Sequence, residues 1–157
     1  MFDKLTYEGL SHLAIGRIAE YWTKLALTFY GLDVYTSEVD NKGIDFVVRS
    51  ADGRHFDIQV KSLRLATTSY IFVPKFNEWE ESRLRDNLYL ALVVIQNQKS
   101  PELYLIPSTT WLKESTFFKS RDYEGKKSKP EWGINISGKN LPLLDEFSLE
   151  NQAPKMR

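Results

Sequence analysis

Three polar residues in two neighbouring strand-like segments have the side chains of a metal-assisted hydrolase. Gln59 and Lys61 alternate with apolar residues, so they point to one face of a strand, and Asp45 belongs to the segment before it. The Asp45 carboxylate, the Gln59 amide and the carbonyl of Val60 are oxygen ligands that suit a hard divalent cation. Lys61 would hold the attacking water or stabilise charge that develops on phosphorus. These residues therefore predict hydrolysis of a phosphodiester beside a divalent metal ion.

The turn between the two segments decides whether Asp45 joins the other residues. A three-residue loop with Gly53 in the left-handed conformation pairs Phe46 with Ile58 and keeps the apolar side chains on one face. A two-residue loop would instead pair apolar with polar side chains, because a shift of one residue reverses the facing of a strand. We therefore predict the three-residue loop, which sets Asp45 directly opposite Gln59 and the lysine on the diagonal.

A long helix over residues 11–30 precedes these segments and carries Glu20, a further candidate metal ligand. Ser11 is its predicted N-cap, and Gly31 is expected to end it. Glu20 lies almost opposite the apolar stripe, so it either assists the metal or is a solvated residue paired with a neighbouring basic side chain. The stripe that we expect to be buried consists of Ala14, Ile18, Trp22, Leu25 and Phe29.

The remaining elements predict one α/β domain over residues 1–157 with a core at about 11–113. A short helix is expected near 77–86, because Asn77 is followed by Glu80 in a capping pattern. From residue 114 onward periodicity fades, and we expect an irregular segment, 114–157, packed on the core. Strands are predicted over 32–38, 44–49, 55–63, 70–73, 88–96 and 103–106, with a helical turn at 108–112.

Composition limits the kinds of partner and site. The 21 basic and 21 acidic residues cancel, so any nucleic-acid contact must come from a local patch. There is no cysteine and only two histidines, which excludes disulfides and thiolate zinc sites and favours an oxygen-ligated metal. The sequence begins without a signal-peptide pattern and has no apolar run long enough for a bilayer, so we expect a cytoplasmic protein.

Two groups of basic residues are candidates for the local patch. Arg64 and Lys75 follow the Gln59 segment and could line a substrate groove. The second group mixes basic and aromatic residues, which suits phosphate contacts and base stacking. Alternatively it is a solvated loop whose aromatic residues enter the core. Its basic residues are Lys126, Lys127 and Lys129, between Tyr123 and Trp132.

The arrangement of these residues resembles the core of the PD-(D/E)XK nuclease superfamily, in particular its QxK branch, which includes Mrr-like restriction endonucleases and some homing endonucleases. The residues that carry the resemblance are Gly43-Ile44-Asp45, a hairpin, Gln59-Val60-Lys61 and a preceding helix with Ala19-Glu20. The resemblance covers roughly residues 11–96. Two positions depart from the usual pattern: Ile44 replaces a proline, and Gln59 replaces an acidic residue and so removes one negative charge.

The resemblance implies a restriction-endonuclease-like α/β core, a mixed sheet flanked by helices in the order helix, three-strand meander, helix and strand. It also implies Mg²⁺ or Mn²⁺ at Asp45, Gln59 and Glu20, with Lys61 catalytic. We expect a DNA endonuclease that acts as a homodimer, since one such site cuts one strand. The alternatives are a nuclease-fold protein that no longer cleaves and binds nucleic acid or protein, and a component of a phage-defence system.

Overall fold

Two stacked β-sheets and one long helix make up the fold. The computed structural model describes residues 4, 6–38, 43–75, 84–113 and 115–157. The helices are α1 (His12–Phe29) and α2 (Leu149–Met156), and 3₁₀ helices cover Ser108–Leu112 and Leu141–Phe147. The strands are β1 (Asp33–Tyr35), β2 (Phe46–Arg49), β3 (His55–Arg64), β4 (Tyr70–Pro74), β5 (Leu88–Ile95), β6 (Glu102–Pro107), β7 (Phe118–Arg121) and β8 (Glu131–Asn135).

The larger sheet is mixed and has the strand order β1-β2-β3-β5-β6. Its first three strands form an antiparallel meander, β5 runs parallel to β3, and β6 returns antiparallel to β5. The smaller sheet is antiparallel, with the order β4-β8-β7. The predicted mixed sheet flanked by helices is therefore confirmed, and so is the three-strand meander. Residues 76–83, which hold most of the predicted short helix, lie outside the described part of the chain.

The β2–β3 hairpin has the register that the apolar pattern predicts. Phe46 pairs with Ile58, and these side chains face the same core. Ser50 N–H donates to the Arg54 carbonyl at 3.0 Å, which closes a loop of three residues. Gly53 has a φ of +88°, the left-handed conformation expected for it. The turn thus fixes which residues of β2 lie opposite those of β3.

The core has two parts, one on each face of the larger sheet. Strand β5 is buried on both sides, as its continuous apolar sequence predicts. Ala91 and Val93 face α1 and α2, whereas Leu90 and Leu92 face the smaller sheet. The three layers are therefore the helices, the five-stranded sheet and the three-stranded sheet.

Helix α1 begins as predicted but buries a different face. The Ser11 side chain accepts a hydrogen bond from Ala14 N–H at 3.1 Å, which confirms the N-cap. The predicted buried stripe is wrong for Leu25 and Phe29, which are 50% and 81% exposed, whereas Ile18 and Trp22 are partly buried and pack against the core. Small residues allow the helix to approach the sheet closely, and they belong to the face that packs inward. The buried residues of α1 are Ile15, Ala19, Thr23, Ala26 and Leu27.

The expectation of an irregular segment over 114–157 is also wrong. Strands β7 and β8 complete the smaller sheet, and α2 packs Ala153 and Met156 into the core shared with α1. These strands have only four and five residues, and the loop between them separates their apolar positions. Such short elements give a weak periodic signal. None of the helices in the described part of the chain combines the length and apolar character required to span a bilayer.

Candidate active site

Asp45 lies immediately before β2 and is attached to β3 by two hydrogen bonds. Its backbone N–H donates at 2.9 Å to the carbonyl of Ile58, the residue that also pairs with Phe46, so the regular register ends at the first residue of β2. Its carboxylate oxygen Oδ2 accepts from Val60 N–H at 2.5 Å. The structure does not show the predicted pairing of Asp45 with Gln59, because Asp45 and Phe46 both lie opposite Ile58, as at a β-bulge. The β3 backbone still holds the Asp45 carboxylate, through Val60, the residue after Gln59.

The carbonyl of Val60 is directed to the same place. In an antiparallel pair the N–H and C=O of one residue point to the same edge of the strand. Because Val60 N–H reaches the Asp45 carboxylate, the Val60 carbonyl faces the same side, beyond the first residue of β2. A carboxylate and a carbonyl oxygen thus border one space beside β3. Both are the kinds of ligand that Mg²⁺ and Mn²⁺ accept.

Gln59 and Lys61 share the face of β3 that is turned toward the smaller sheet. Gln59 borders a narrow gap that is also lined by Val73 and Trp132. Both side chains are half-buried, and among the described residues neither has a hydrogen-bond or ion-pair partner. Withdrawing an ammonium from water without a partner is unfavourable. The position of Lys61 therefore favours an anionic group that comes from outside the described residues.

Two contacts define how α1 crosses β3. Lys24 Nζ lies 5.2 Å from the centre of the Phe46 ring, and Phe46 is opposite Ile58. The Arg64 guanidinium donates to the carbonyl of Leu10, just before the helix. The start of α1 is therefore near the end of β3, so helix and strand run antiparallel.

Glu20 lies one helical turn from Lys24, toward the end of β3. A helix rises about 1.5 Å and a strand about 3.3 Å per residue. These distances put Glu20 about two strand positions past Ile58, level with Val60. Glu20 is half-buried and follows the buried Ala19, so it lies at the flank of the packed face and not opposite it. Because α1 covers the other side of the sheet from Gln59, a role for Glu20 as a metal ligand stays a prediction.

The donor set of the site is poor in carboxylates. Within the described residues no group of three or more His, Cys, Asp or Glu side chains is placed to hold a metal ion. The candidate ligands are two acids, Asp45 and Glu20, with a neutral amide and a backbone carbonyl. These are all oxygen ligands and fit Mg²⁺ or Mn²⁺ chemically, with less negative charge than three carboxylates would supply.

Sequence reasoning missed an ion pair next to the site. Asp57 shares the face of β3 with Gln59 and pairs with the guanidinium of Arg85. The Ser108 hydroxyl holds the Arg85 backbone, accepting from its N–H at 3.0 Å and donating to its carbonyl at 2.8 Å. Alternation along β3 identifies Asp57, but no sequence signal connects it with Arg85. The pair neutralises Asp57, so it adds no net charge next to Gln59.

The structure does not bring Lys75 and Arg64 to the site. Lys75 is 6% exposed, and its ammonium donates to the Ser120 hydroxyl and the Asp122 carboxylate, both at 2.5 Å. Lys75 therefore joins the strands of the smaller sheet and is not a phosphate contact in this structure. Arg64 points to the α1 side of the sheet, where it borders a separate open cavity of about 480 Å³.

The lysines at 126, 127 and 129 are all exposed in the loop between β7 and β8. Lys75 N–H donates to the Pro130 carbonyl at 3.0 Å, which ties this loop to the end of β4. The next inward residue of β8, Trp132, borders the gap beside Gln59. The loop is thus at the end of the smaller sheet closest to the gap, and its role in nucleic-acid binding stays a prediction.

A solved structure with a similar fold is that of a bacterial homing endonuclease, I-Ssp6803I. It superposes with a TM-score of 0.51 and 17% sequence identity, over 81% of this chain and 75% of that chain. At this identity the similarity shows the fold, which is nuclease-like. No protein-family model matches the sequence. No curated protein sequence matches it either.

Proposed function

We propose that this protein is a metal-dependent endonuclease of the PD-(D/E)XK type, QxK branch, which hydrolyses phosphodiester bonds in DNA. The observation that carries the proposal is the contact of the Asp45 carboxylate with Val60 N–H, one residue before Lys61. This contact supports a shared site for a metal ligand and a catalytic lysine. The nuclease-like fold, similar to that of a homing endonuclease, supports it independently.

Each residue has a distinct role in this proposal. Asp45, Gln59, the carbonyl of Val60 and Glu20 would hold Mg²⁺ or Mn²⁺. A bound divalent ion supplies charge neutralisation at the scissile phosphate and lowers the pKa of an attacking water. The Lys61 ammonium donates hydrogen bonds to that water or to a phosphate oxygen as negative charge develops.

The test is nicking of supercoiled plasmid DNA with Mg²⁺ or Mn²⁺, compared between the wild type and Lys61→Ala. We expect cleavage by the wild type and a loss of about a hundredfold or more in the variant. Lys139→Ala, which removes an exposed lysine elsewhere, is the matched control and should cleave normally. The same assay is repeated with branched and with single-stranded DNA. Absence of cleavage on all three with both metals would refute the proposal.

A second function is favoured by the small charge of the donor set. Two carboxylates with a neutral Gln59 suit a nuclease-fold protein that binds nucleic acid and does not cleave it. Fluorescence anisotropy with labelled duplex DNA separates this function from the first. Binding without cleavage under every metal condition, unchanged in Lys61→Ala, would favour the binding module. Faster cleavage with rising metal concentration would favour the enzyme.

A further inference from the structure

The outward face of α1 is apolar where a surface helix is ordinarily polar. Nine large hydrophobic side chains are exposed in the described part of the chain, and five of them lie on this helix or just before it. Their exposed fractions run from 37% to 86%. A concentration of apolar side chains on one face indicates an interaction surface. The five are Leu10, Leu13, Tyr21, Leu25 and Phe29.

Most of these residues form a single ridge. Leu13, Arg17, Tyr21, Leu25 and Phe29 follow one another at intervals of four residues, and we call this row the α1 ridge. Residues four apart make the side-chain ridges that interdigitate when two helices pack. Tyr21, at the centre, is about 200° around the helix from the buried Ala19. The centre of the ridge therefore points away from the sheet, and the ridge winds about 80° to either side of it by Leu13 and Phe29.

We propose that the α1 ridge is the interface with a second copy of this chain, and that the two-fold axis passes beside Tyr21. The ridge is symmetric in position about Tyr21: Leu13 and Phe29 are each eight residues away, and Arg17 and Leu25 are each four away. A two-fold interface requires a patch that meets itself. Antiparallel packing of two ridges brings the apolar start of one helix toward the apolar end of the other.

The charges on α1 favour a second copy over other occupants. Arg17 is the only charged residue of the ridge, so no pair of carboxylates opposes association. In the antiparallel arrangement each Arg17 lies over Leu25 of the partner subunit, where its methylene chain packs and its guanidinium reaches an aromatic ring. Arg17 and Lys24 are the only Lys or Arg residues of the helix, fewer than a nucleic-acid or anionic-membrane surface requires.

The inference that a dimer would serve cleavage of both strands rests on the proposed function. One copy supplies one candidate site and would cut one strand, whereas a two-fold pair presents two sites for the two strands of a duplex. Because α1 also carries Glu20, the same helix would connect the interface with each site. The surface itself is inferred from the ridge alone, so its test does not depend on cleavage.

The first test measures molecular mass by light scattering at tens of micromolar protein. We expect a dimer for the wild type and monomers for Leu25→Glu and Phe29→Glu. Leu143→Glu is the matched control, because Leu143 is an exposed leucine (59%) outside the ridge, and this variant should stay dimeric. Circular dichroism and thermal unfolding show whether each variant keeps its fold. A monomeric wild type, or folded ridge variants that remain dimers, would overturn the inference.

The second test uses thiol cross-linking, which is clean because the chain has no cysteine. Two copies of Tyr21→Cys should be joined by a short bis-maleimide, since this position is beside the axis. Two copies of Leu13→Cys lie about 24 Å apart in the antiparallel arrangement and should not be joined. Cross-linking at position 13 but not at 21 would overturn the geometry. Both tests read association alone, so failure of the dimer and failure of the nuclease are distinguishable.

Discussion

The Asp45 carboxylate, just before the start of β2, accepts a hydrogen bond from the backbone N–H of Val60 at 2.5 Å. A backbone N–H bound to a carboxylate is a strong, directional contact. It sets the position of Asp45 relative to β3, the strand that also carries Gln59 and Lys61. One strand therefore orients the acid, the amide and the ammonium of the candidate site.

Asp45→Asn should abolish both the stabilisation by metal and the metal-dependent cleavage, while the protein keeps its fold. The asparagine oxygen can still accept from Val60 N–H, so the expected loss is about 1 kcal/mol of unfolding free energy. Without the charge, Mn²⁺ should no longer raise the melting temperature, and cleavage should fall about a hundredfold or more. Thermal unfolding with Mn²⁺ and with chelator measures the first effect. Asp86→Asn, at an exposed position, should behave like the wild type in both assays.

Gln59→Glu should strengthen metal binding. A second carboxylate near Asp45 adds the charge that the amide lacks, and we expect half-maximal stabilisation at about tenfold lower Mg²⁺. Without metal, repulsion between the two carboxylates should lower the melting temperature below that of the wild type. Gln98→Glu makes the same change at an exposed turn and should leave the metal titration unchanged. Equal titrations for the wild type and Gln59→Glu would remove residue 59 from the metal site.

Asp52 should make the hairpin sensitive to acid. Hydrogen bonds from Ser50 and Arg54 lower the pKa of the Asp52 carboxyl to about 2. Because its folded pKa is below the unfolded value of 3.8, its stabilisation is complete above about pH 4 and is lost as the pH falls toward 2. Asp52→Asn should therefore be less stable than the wild type at pH 6, with the difference narrowing toward pH 2. Urea unfolding across this pH range measures the difference in stability between the two proteins. A difference that stays constant with pH would contradict the lowered pKa of Asp52.

Gly133 should not tolerate a side chain. A Cβ at this position would lie 2.0 Å from the Tyr70 hydroxyl oxygen, because the Tyr70 ring crosses the strand there. Gly133→Ala should cost about 2 kcal/mol of unfolding free energy. In Tyr70→Ala the same change should cost less, since the obstructing ring is absent. A Cβ at Gly138 would have no atom within 4 Å, so Gly138→Ala should leave the free energy of unfolding nearly unchanged. Chemical denaturation measures both variants.

The hairpin register from Phe46 to Arg49 could be predicted because two independent signals agree there. The apolar residues of β2 and β3 alternate with a period of two, and Gly53 selects the loop length. A shift of one residue would put Phe46 opposite a polar side chain. Local pattern and local turn chemistry were sufficient for this hairpin.

The buried face of α1 could not be predicted, because the helix has two apolar faces and periodicity does not show which one meets the sheet. The choice is decided by small residues such as Ala19 and Thr23, which allow close packing. The role of Lys75 could not be predicted either, since its partner Asp122 is 47 residues away in the sequence. Contacts between distant elements are not encoded in any short window.

Strand β3 is hydrogen-bonded along both edges, to β2 over its first half and to β5 from Asp57 to Arg64. The two pairings overlap only at Asp57 and Ile58, so Gln59, Val60 and Lys61 are held by β5 on one edge and, within the described residues, are open on the other. The backbone spacing of these three residues is thus set by β5, while the open edge leaves room for a ligand. Adaptation to a different ion would come from the elements beside that edge, first of all from Asp45 just before β2.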